Sequence, residues 1–216
     1  WGKYNQAGLL EEELAQTFHE YFHIFPDHIL NENSSGFDMG SGSGRWAFFV
    51  SDKVKKLTLI EPSKVAINVS KRLLKSKFNI EYLNKTVDDS ISFLERSSFD
   101  FGYSLGVLHH VPDTLEALKS CRRLLKPGAP FLVYLYYNFE NRSLFFRFIW
   151  SITVPVRSIV SRLPNKLKHL LSELIALAIY LPIRQIYRLL YKLGVNIDNF
   201  MLSNYTFKSF RTLRTD

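Results

Sequence analysis

The sequence predicts an α/β fold: a doubly wound, mainly parallel sheet with helices on both faces, and a helical segment after the fifth strand. Three observations carry this prediction. Short apolar runs alternate with amphipathic stretches from residue 36 to residue 137, the order that places helices between parallel strands. A glycine-rich turn, Gly40-Ser41-Gly42-Ser43-Gly44, falls between the first strand and the helix that follows it. After Asn141 the pattern changes: residues 144–192 are helical in period and rich in Leu, Ile, Phe and Arg.

Each element has a local reason. Leu9, Leu10, Leu14, Phe18, Phe22 and Phe25 recur near the helical period, so residues 6–25 read as a helix that Pro26 stops. Asn31 to Gly36 reads as a polar turn. Gly36–Met39 is the first strand and Ser43–Val50 a helix. Leu57–Ile60 is the second strand, and Pro62–Lys77 a helix with proline in its first turn. Ile80–Leu83 is a strand and Ser90–Glu95 a short helix. Phe99–Gly106 is a strand, and Thr114–Leu125 a helix capped by Asp113. Lys126-Pro127-Gly128 turns the chain into a fifth strand, Phe131–Tyr137. Residues 144–192, interrupted at Pro155, Pro164 and Pro182, read as three or four short helices. The last residues, 195–216, show no clear strand pair.

Composition excludes several classes. Of 216 residues, 46% are hydrophobic and 22% charged, which excludes wholesale disorder, collagen-like repeats and a disulfide-stapled miniprotein. Cys121 is the one cysteine, so no intramolecular disulfide forms and a reducing compartment, the cytoplasm, is the expected location. The net charge of +8 is uneven. Residues 1–140 hold 16 Lys+Arg and 17 Asp+Glu; residues 141–216 hold 12 and 3. The basic excess sits in the last third, where it suits phosphate, a membrane surface or an acidic substrate, or forms a solvated face. The longest apolar candidate for a membrane span, Leu170 to Ile183, contains Glu173 and Pro182 and is too short.

The chemistry concentrates at Phe37-Asp38-Met39-Gly40-Ser41-Gly42-Ser43-Gly44-Arg45. Glycines there permit positive φ and let a ligand approach the backbone, while the next helix presents unpaired N–H groups. Glu61 follows Gly40 by 21 residues, at the end of the next strand, where a carboxylate can accept both hydroxyls of a ribose. A dinucleotide site wants G-x-G-x-x-G, and Arg45 stands at the third position. The spacing is instead D-x-G-x-G-x-G. This resembles motif I of the class I S-adenosylmethionine-dependent methyltransferases, whose fold is Rossmann-like. Further segments extend the resemblance in order: Leu59-Ile60-Glu61-Pro62-Ser63, Val87-Asp88-Asp89, Ser98-Phe99-Asp100, Ser104-Leu105-Gly106-Val107-Leu108-His109-His110-Val111-Pro112-Asp113, and Leu124-Leu125-Lys126-Pro127-Gly128.

The resemblance implies a cofactor, S-adenosylmethionine, leaving S-adenosylhomocysteine as product. It implies that Asp38, Gly40, Ser41, Gly42, Gly44, Glu61, Pro62, Asp88, Asp89, Leu105 and Gly106 bind it, with Glu61 on the ribose and Asp88 or Asp89 on the adenine. Helix capping is the other reading of Asp88 and Asp89. His109 and His110 would face the acceptor, where a histidine near its ordinary pKa can remove a proton. Tyr134, Tyr136 and Tyr137 would line the acceptor pocket, or simply pack in the core. The implied activity is O-, C- or N-methyl transfer to a small-molecule acceptor, apolar or anionic. The alternative is a non-catalytic module of the same fold, held to a membrane surface or partner by residues 144–192. Nucleic acid is not expected, because charge stands without an aromatic strand platform. The expected layout is a helical cap over 1–35, the cofactor-binding core over 36–140, a basic helical lid over 141–194 and a tail over 195–216. The family's sheet has seven strands, so the chain is expected to be truncated at its C-terminus. His19-Glu20-Tyr21-Phe22-His23 matches H-E-x-x-H, a zinc-hydrolase pattern. Pro26 and Ile29 break its longer form, and no metal site is expected.

Overall fold

A computed structural model describes residues 11–136, 144–197, 200, 202, 203, 206 and 207. The described residues up to Tyr136 form one compact unit and those from Leu144 onward a second.

In the first unit, α1 (Glu11–Phe22) leads into β1 (Ser35–Met39), α2 (Arg45–Val50), β2 (Lys56–Ile60), α3 (Lys64–Leu73) and β3 (Ile80–Leu83). Then come α4 (Val87–Ser90), β4 (Phe101–Leu105), α5 (Thr114–Leu124) and β5 (Phe131–Tyr134). The five strands are all parallel, in the order β3-β2-β1-β4-β5. The chain reverses direction across the sheet between β1 and β4, the place where open α/β sheets bind ligands at their carboxyl ends. Alternation along the strands splits the core. Leu57, Leu59, Phe101, Tyr103 and Leu105 pack with Phe22, Phe25, Trp46, Val50 and Leu74 on one face. Phe37, Met39 and Ile60 pack with Val87, Ala117, Cys121 and Leu124 on the other. The predicted coverage of both faces is observed.

The first strand looks poor in sequence because its neighbour supplies the missing bulk. Gly36 pairs with Phe101, and Phe37 with Gly102. A Cβ on Gly36 would lie 2.2 Å from the Phe101 ring, and one on Gly102 2.5 Å from the Phe37 ring. Each phenyl ring fills the space its partner glycine leaves, one on each face of the sheet, the exchange that compensates glycine in a strand.

Several boundaries move for local reasons. The helix expected from Pro62 begins at Lys64, because Ser63 Oγ accepts from Ala66 N (3.3 Å) as N-cap. The short helix expected over Ser90–Glu95 lies earlier, at Val87–Ser90. Thr86 caps it: its hydroxyl accepts from Asp89 N (3.2 Å) and donates to the Asp89 carboxylate (2.8 Å). Asp113 caps α5 as expected, accepting from Glu116 N at 2.9 Å. Cys121 is fully buried, and burial raises its thiol to about 12, so it behaves as a small apolar residue. The fifth strand ends at Tyr134, three residues short of the expectation.

The second unit corrects the expectation of three or four short helices. It contains α6 (Leu144–Arg162), then α7 (Asn165–Ile175), a π turn (Ala176–Tyr180) and α8 (Leu181–Lys192) without a break. Pro155 lies inside α6. Pro182 follows directly on the π turn, in the first turn of α8, and a π turn is a common way for a helix to accommodate an irregularity without breaking. Because the helix runs through Pro182, Glu173–Lys192, at a mean hydropathy of 1.3, is long and apolar enough by length and composition to cross a membrane. That overturns the shorter limit read at Ile183. The tail's described residues contain no strand. Arg188 Nε donates to Thr206 O at 2.9 Å.

Candidate active site

The glycine loop leaves the carboxyl end of β1 and is pinned at both sides. Gly40 N and Ser41 N donate to Ile60 O (2.8 and 3.2 Å), and Gly44 N to Ser41 O (2.9 Å). The three glycines differ in role. A Cβ on Gly40 would strike Val107, and one on Gly44 would strike Ser70 Oγ at 2.4 Å; these two allow close packing against the β4 loop and α3. Gly42 has open space where a Cβ would stand. At the end of β4, Gly106 also has a positive φ (74°) and an open side. Two backbone stretches that a ligand can approach therefore lie at the ends of adjacent strands.

Glu61 is held rigidly beside this loop. It is buried; its Oε2 accepts from Gly42 N (3.0 Å) and its Oε1 from Ser63 N (2.8 Å). A carboxylate offers about four acceptor positions, so two remain for a ligand. Asn84 fixes the backbone beneath it, with Nδ2 donating to Glu61 O and Pro62 O, both at 2.8 Å. Pro62 itself is exposed. Ser104 Oγ donates to Met39 O (2.8 Å) and ties the end of β1 to β4.

Beneath the loop lie buried polar groups. Asp38, beside Leu59 and Tyr103 in register, is 2% exposed. Burial raises its carboxyl to about 8; the Tyr103 hydroxyl lowers it, the Glu61 carboxylate raises it and Arg45 lowers it. Burial likewise drives Tyr103 well above its ordinary value. The Ser41 hydroxyl is buried with no hydrogen-bond partner among the described residues, while the buried Asp38 carboxyl has the Tyr103 hydroxyl beside it. A buried polar atom without a partner is uncommon, and Ser41 Oγ on this loop, close in sequence to a buried carboxyl, suits a polar ligand.

The surface beyond the carboxyl ends of β4 and β5 is aromatic. His109 lies in the turn after β4, its ring 4.3 Å from Tyr136 and 4.0 Å from His110. Both His109 ring nitrogens are covered and unpartnered among the described residues, and burial, then His110, lowers its pKa from 6.5. His110 is exposed. β5 ends at Tyr134, and the rings of Tyr134 and Tyr136 stand 5.7 Å apart. Tyr21 of α1 packs edge-on to Tyr134 (5.0 Å) and to Trp46 (5.4 Å), with the Arg45 guanidinium 4.4 Å from the centre of the Trp46 ring. Tyr137 lies outside the described residues.

Other expected positions fall differently. Asp88 and Asp89 are exposed, and Asp89 is engaged in the Thr86 cap. Leu105 is buried in the core. His19 and His23 are exposed, with His23 Nδ1 2.7 Å from Glu20 O, and no group of metal-binding side chains occurs among the described residues. Residues that sequence reasoning missed are Tyr103, Asn84, Ser104, Tyr21 and Trp46. Tyr103 could have been found by counting alternate residues of β4 against Asp38; Asn84 carries no sequence signal.

These residues fit an adenosylated amino acid. The buried Asp38 carboxyl and the partnerless Ser41 hydroxyl suit a polar, cationic head, the open flank of Gly42 suits close approach, and Glu61 suits a diol. A family model described as a methyltransferase domain matches residues 37–133. A ubiquinone biosynthesis O-methyltransferase of Alkalilimnicola ehrlichii is 33% identical over 92 residues, which are 42% of this chain and 37% of that protein. The sterol 4-C-methyltransferase strm-1 of Caenorhabditis elegans is 28% identical over 134 residues, 57% of this chain and 36% of that one. The chain thus spans well under half the length of these two relatives. The crystal structure of the Bacillus subtilis YcgJ protein superposes with a TM-score of 0.49 at 22% identity, covering 59% of this chain and 52% of that one. Residues 37–133 are thus similar to a methyltransferase domain, of the class I S-adenosylmethionine-dependent kind.

Proposed function

We propose that this chain binds S-adenosylmethionine along Gly40–Gly44 and Glu61 and transfers its methyl group to a small-molecule acceptor at the aromatic mouth beyond β4 and β5. The observation that carries the reading is Glu61: a buried carboxylate, held by Gly42 N and Ser63 N, with acceptor capacity left over next to an open glycine. When bound, the cofactor supplies an electrophilic methyl on a sulfonium, and the bond to sulfur breaks as the bond to the acceptor forms.

The chain's own part is mainly placement. Glu61 accepts two hydroxyl protons of a diol and fixes register along the loop. Gly42 lets the ligand backbone lie close. Asp38 and Ser41 receive a cationic head. Methyl transfer then depends on holding donor and acceptor in line and away from water. Tyr21, Trp46, Tyr134 and Tyr136 give an apolar wall with hydroxyls at its rim, which suits a flat or apolar acceptor. His109 is neutral at physiological pH, since burial lowers its pKa, and a neutral imidazole can take the proton of an oxygen or carbon acceptor. Two of the relatives, a ubiquinone biosynthesis O-methyltransferase and a sterol 4-C-methyltransferase, support an apolar acceptor.

Isothermal titration with S-adenosylhomocysteine, alongside NAD as control, tests the cofactor. Saturable binding of the first, with no heat from the second, is the expected result. Binding of NAD alone would overturn the reading.

A further inference from the structure

The second unit carries a surface that the catalytic reading does not use. Along α7 and into the π turn, Leu170, Leu174 and Leu177 recur at intervals of four and three; along α8 and its C-cap, Ile186, Leu189 and Leu193 recur at three and four. All six are more than half exposed, from 52% to 69%. Such spacing is one face of a helix. In a straight α-helix, at about 100° per residue, the two triads would sit roughly 125° apart. The π turn Ala176–Tyr180 turns less per residue and swings the second triad toward the first. The opposite side of α8 is polar and occupied: Arg188 bonds Thr206 O, and Arg184 is half-buried.

The other long helix repeats the pattern. Phe148 and Ile159 of α6 are exposed on the side that also exposes Arg147 and Arg162. Arginines beside exposed apolar residues can lay their stems along hydrocarbon while the guanidinium meets headgroups. Charge selects the occupant. Residues 144–192 contain eight Lys+Arg and one acid, Glu173. A second copy laid face to face would bring these like charges together, whereas an anionic bilayer offers the opposite sign together with hydrocarbon.

We propose that α6, α7 and α8 form a membrane-docking surface that lies flat on an anionic lipid bilayer, with the Leu170–Leu177 and Ile186–Leu193 stripes inserted at the headgroup boundary and arginines at the phosphates. The helix lies in the interface rather than spanning it. A span would have to carry the Arg184–Arg188 side, with its bond to Thr206, through the hydrocarbon, and a large apolar–polar asymmetry is the mark of interfacial helices. The proposal is independent of the methyltransferase reading.

Vesicle flotation of the intact chain tests it, with phosphatidylcholine alone and mixed with phosphatidylglycerol, at low and high salt. Expected is a partition coefficient at least about tenfold higher on anionic vesicles, falling with salt. The paired substitution Leu174→Ser/Leu177→Ser should cut partition about tenfold or more on both lipids. Arg147→Gln/Arg162→Gln should reduce only the anionic preference, several-fold per charge. Circular dichroism shows that each variant folds. Absence of flotation of the wild-type chain on anionic vesicles overturns the proposal, as does a concentration-dependent dimer without lipid binding. Resistance to alkaline carbonate extraction overturns the flat orientation in favour of a span.

Discussion

Replacing Asp38 with Asn should change the pH dependence of stability more than stability at acid pH. The folded chain holds the Asp38 proton up to about pH 8, against an ordinary 3.8, and burial is the main cause. The folded state therefore binds this proton more tightly than the unfolded state. Below the unfolded value both states are protonated and the group costs nothing. As pH rises from about 4 to about 8 the unfolded state ionises first, so folding stability falls, and above about 8 the loss levels off. Each unit is worth ~1.4 kcal/mol, so the step from about pH 5 to about pH 8 removes on the order of 4 kcal/mol. That is a large part of the 5–15 kcal/mol a domain commonly has. Asn keeps the shape and cannot ionise. Urea unfolding of both proteins at about pH 5, 6.5 and 8 measures the difference. The wild-type midpoint should fall across the series, and Asp38→Asn should flatten the curve. His109 works in the opposite sense, because its lowered pKa makes stability rise with pH near 6, but it is common to both proteins and cancels. S-adenosylhomocysteine brings an ammonium group, so its affinity for the wild type should grow as Asp38 ionises. Parallel pH curves for the two proteins would refute the buried, protonated carboxyl.

Three further outcomes follow from the geometry. Glu61→Gln keeps one acceptor oxygen and loses the charge. It should weaken S-adenosylhomocysteine at least about a hundredfold by calorimetry, from charged hydrogen bonds of ~1.5–3 kcal/mol each; an unchanged Kd would remove the ribose role. Gly36→Ala drives a methyl into the Phe101 ring, 2.2 Å away, and should cost ~1–3 kcal/mol, lowering Tm by several degrees. Gly36→Ala with Phe101→Leu should recover part of the loss, and strict additivity in a double-mutant cycle would count against the ring–glycine exchange. An NMR titration should place His109 below its ordinary 6.5, and His110→Ala should move it back upward by the smaller of its two causes. A midpoint above 6.5 would remove it as a neutral base.

What the sequence disclosed depended on whether the governing contact was local. The loop, Glu61 and the Asp113 cap were legible because glycine, acid and cap act within a few residues of themselves: Ser63 N reaches Glu61 from two positions away, and Glu116 N reaches Asp113 from three. The weak first strand was misleading for the opposite reason. Its glycine is answered by Phe101, 65 residues on, a pairing that becomes visible only once register is known. The same holds for Tyr103 beneath the loop, and for Tyr21 and Trp46, which join the aromatic wall from elements that appear in sequence as plain amphipathic helices. Proline was over-read. At Pro182 the chain avoids a break by entering a π turn first, a backbone choice that composition does not encode.

That π turn also bears on how catalysis and location are divided in this chain. The proposed donor site draws on local backbone and two neighbouring strands, within the residues 37–133 that match a methyltransferase domain. The aromatic wall proposed for the acceptor, by contrast, has exposed members, Tyr134 and Tyr136, and suits an apolar ligand that water would hold at low concentration. An enzyme for such an acceptor gains by working where the acceptor dissolves. Apolar acceptors concentrate in a bilayer for the same reason that Leu174 and Leu177 would, transfer of hydrocarbon out of water. A basic helical surface that docks on lipid and an apolar acceptor wall are then two consequences of one physical demand. The two proposals can be separated experimentally: Leu174→Ser/Leu177→Ser should abolish flotation while leaving the affinity for S-adenosylhomocysteine unchanged, and Glu61→Gln should do the reverse. Loss of both properties in either variant would show that the two units do not act separately.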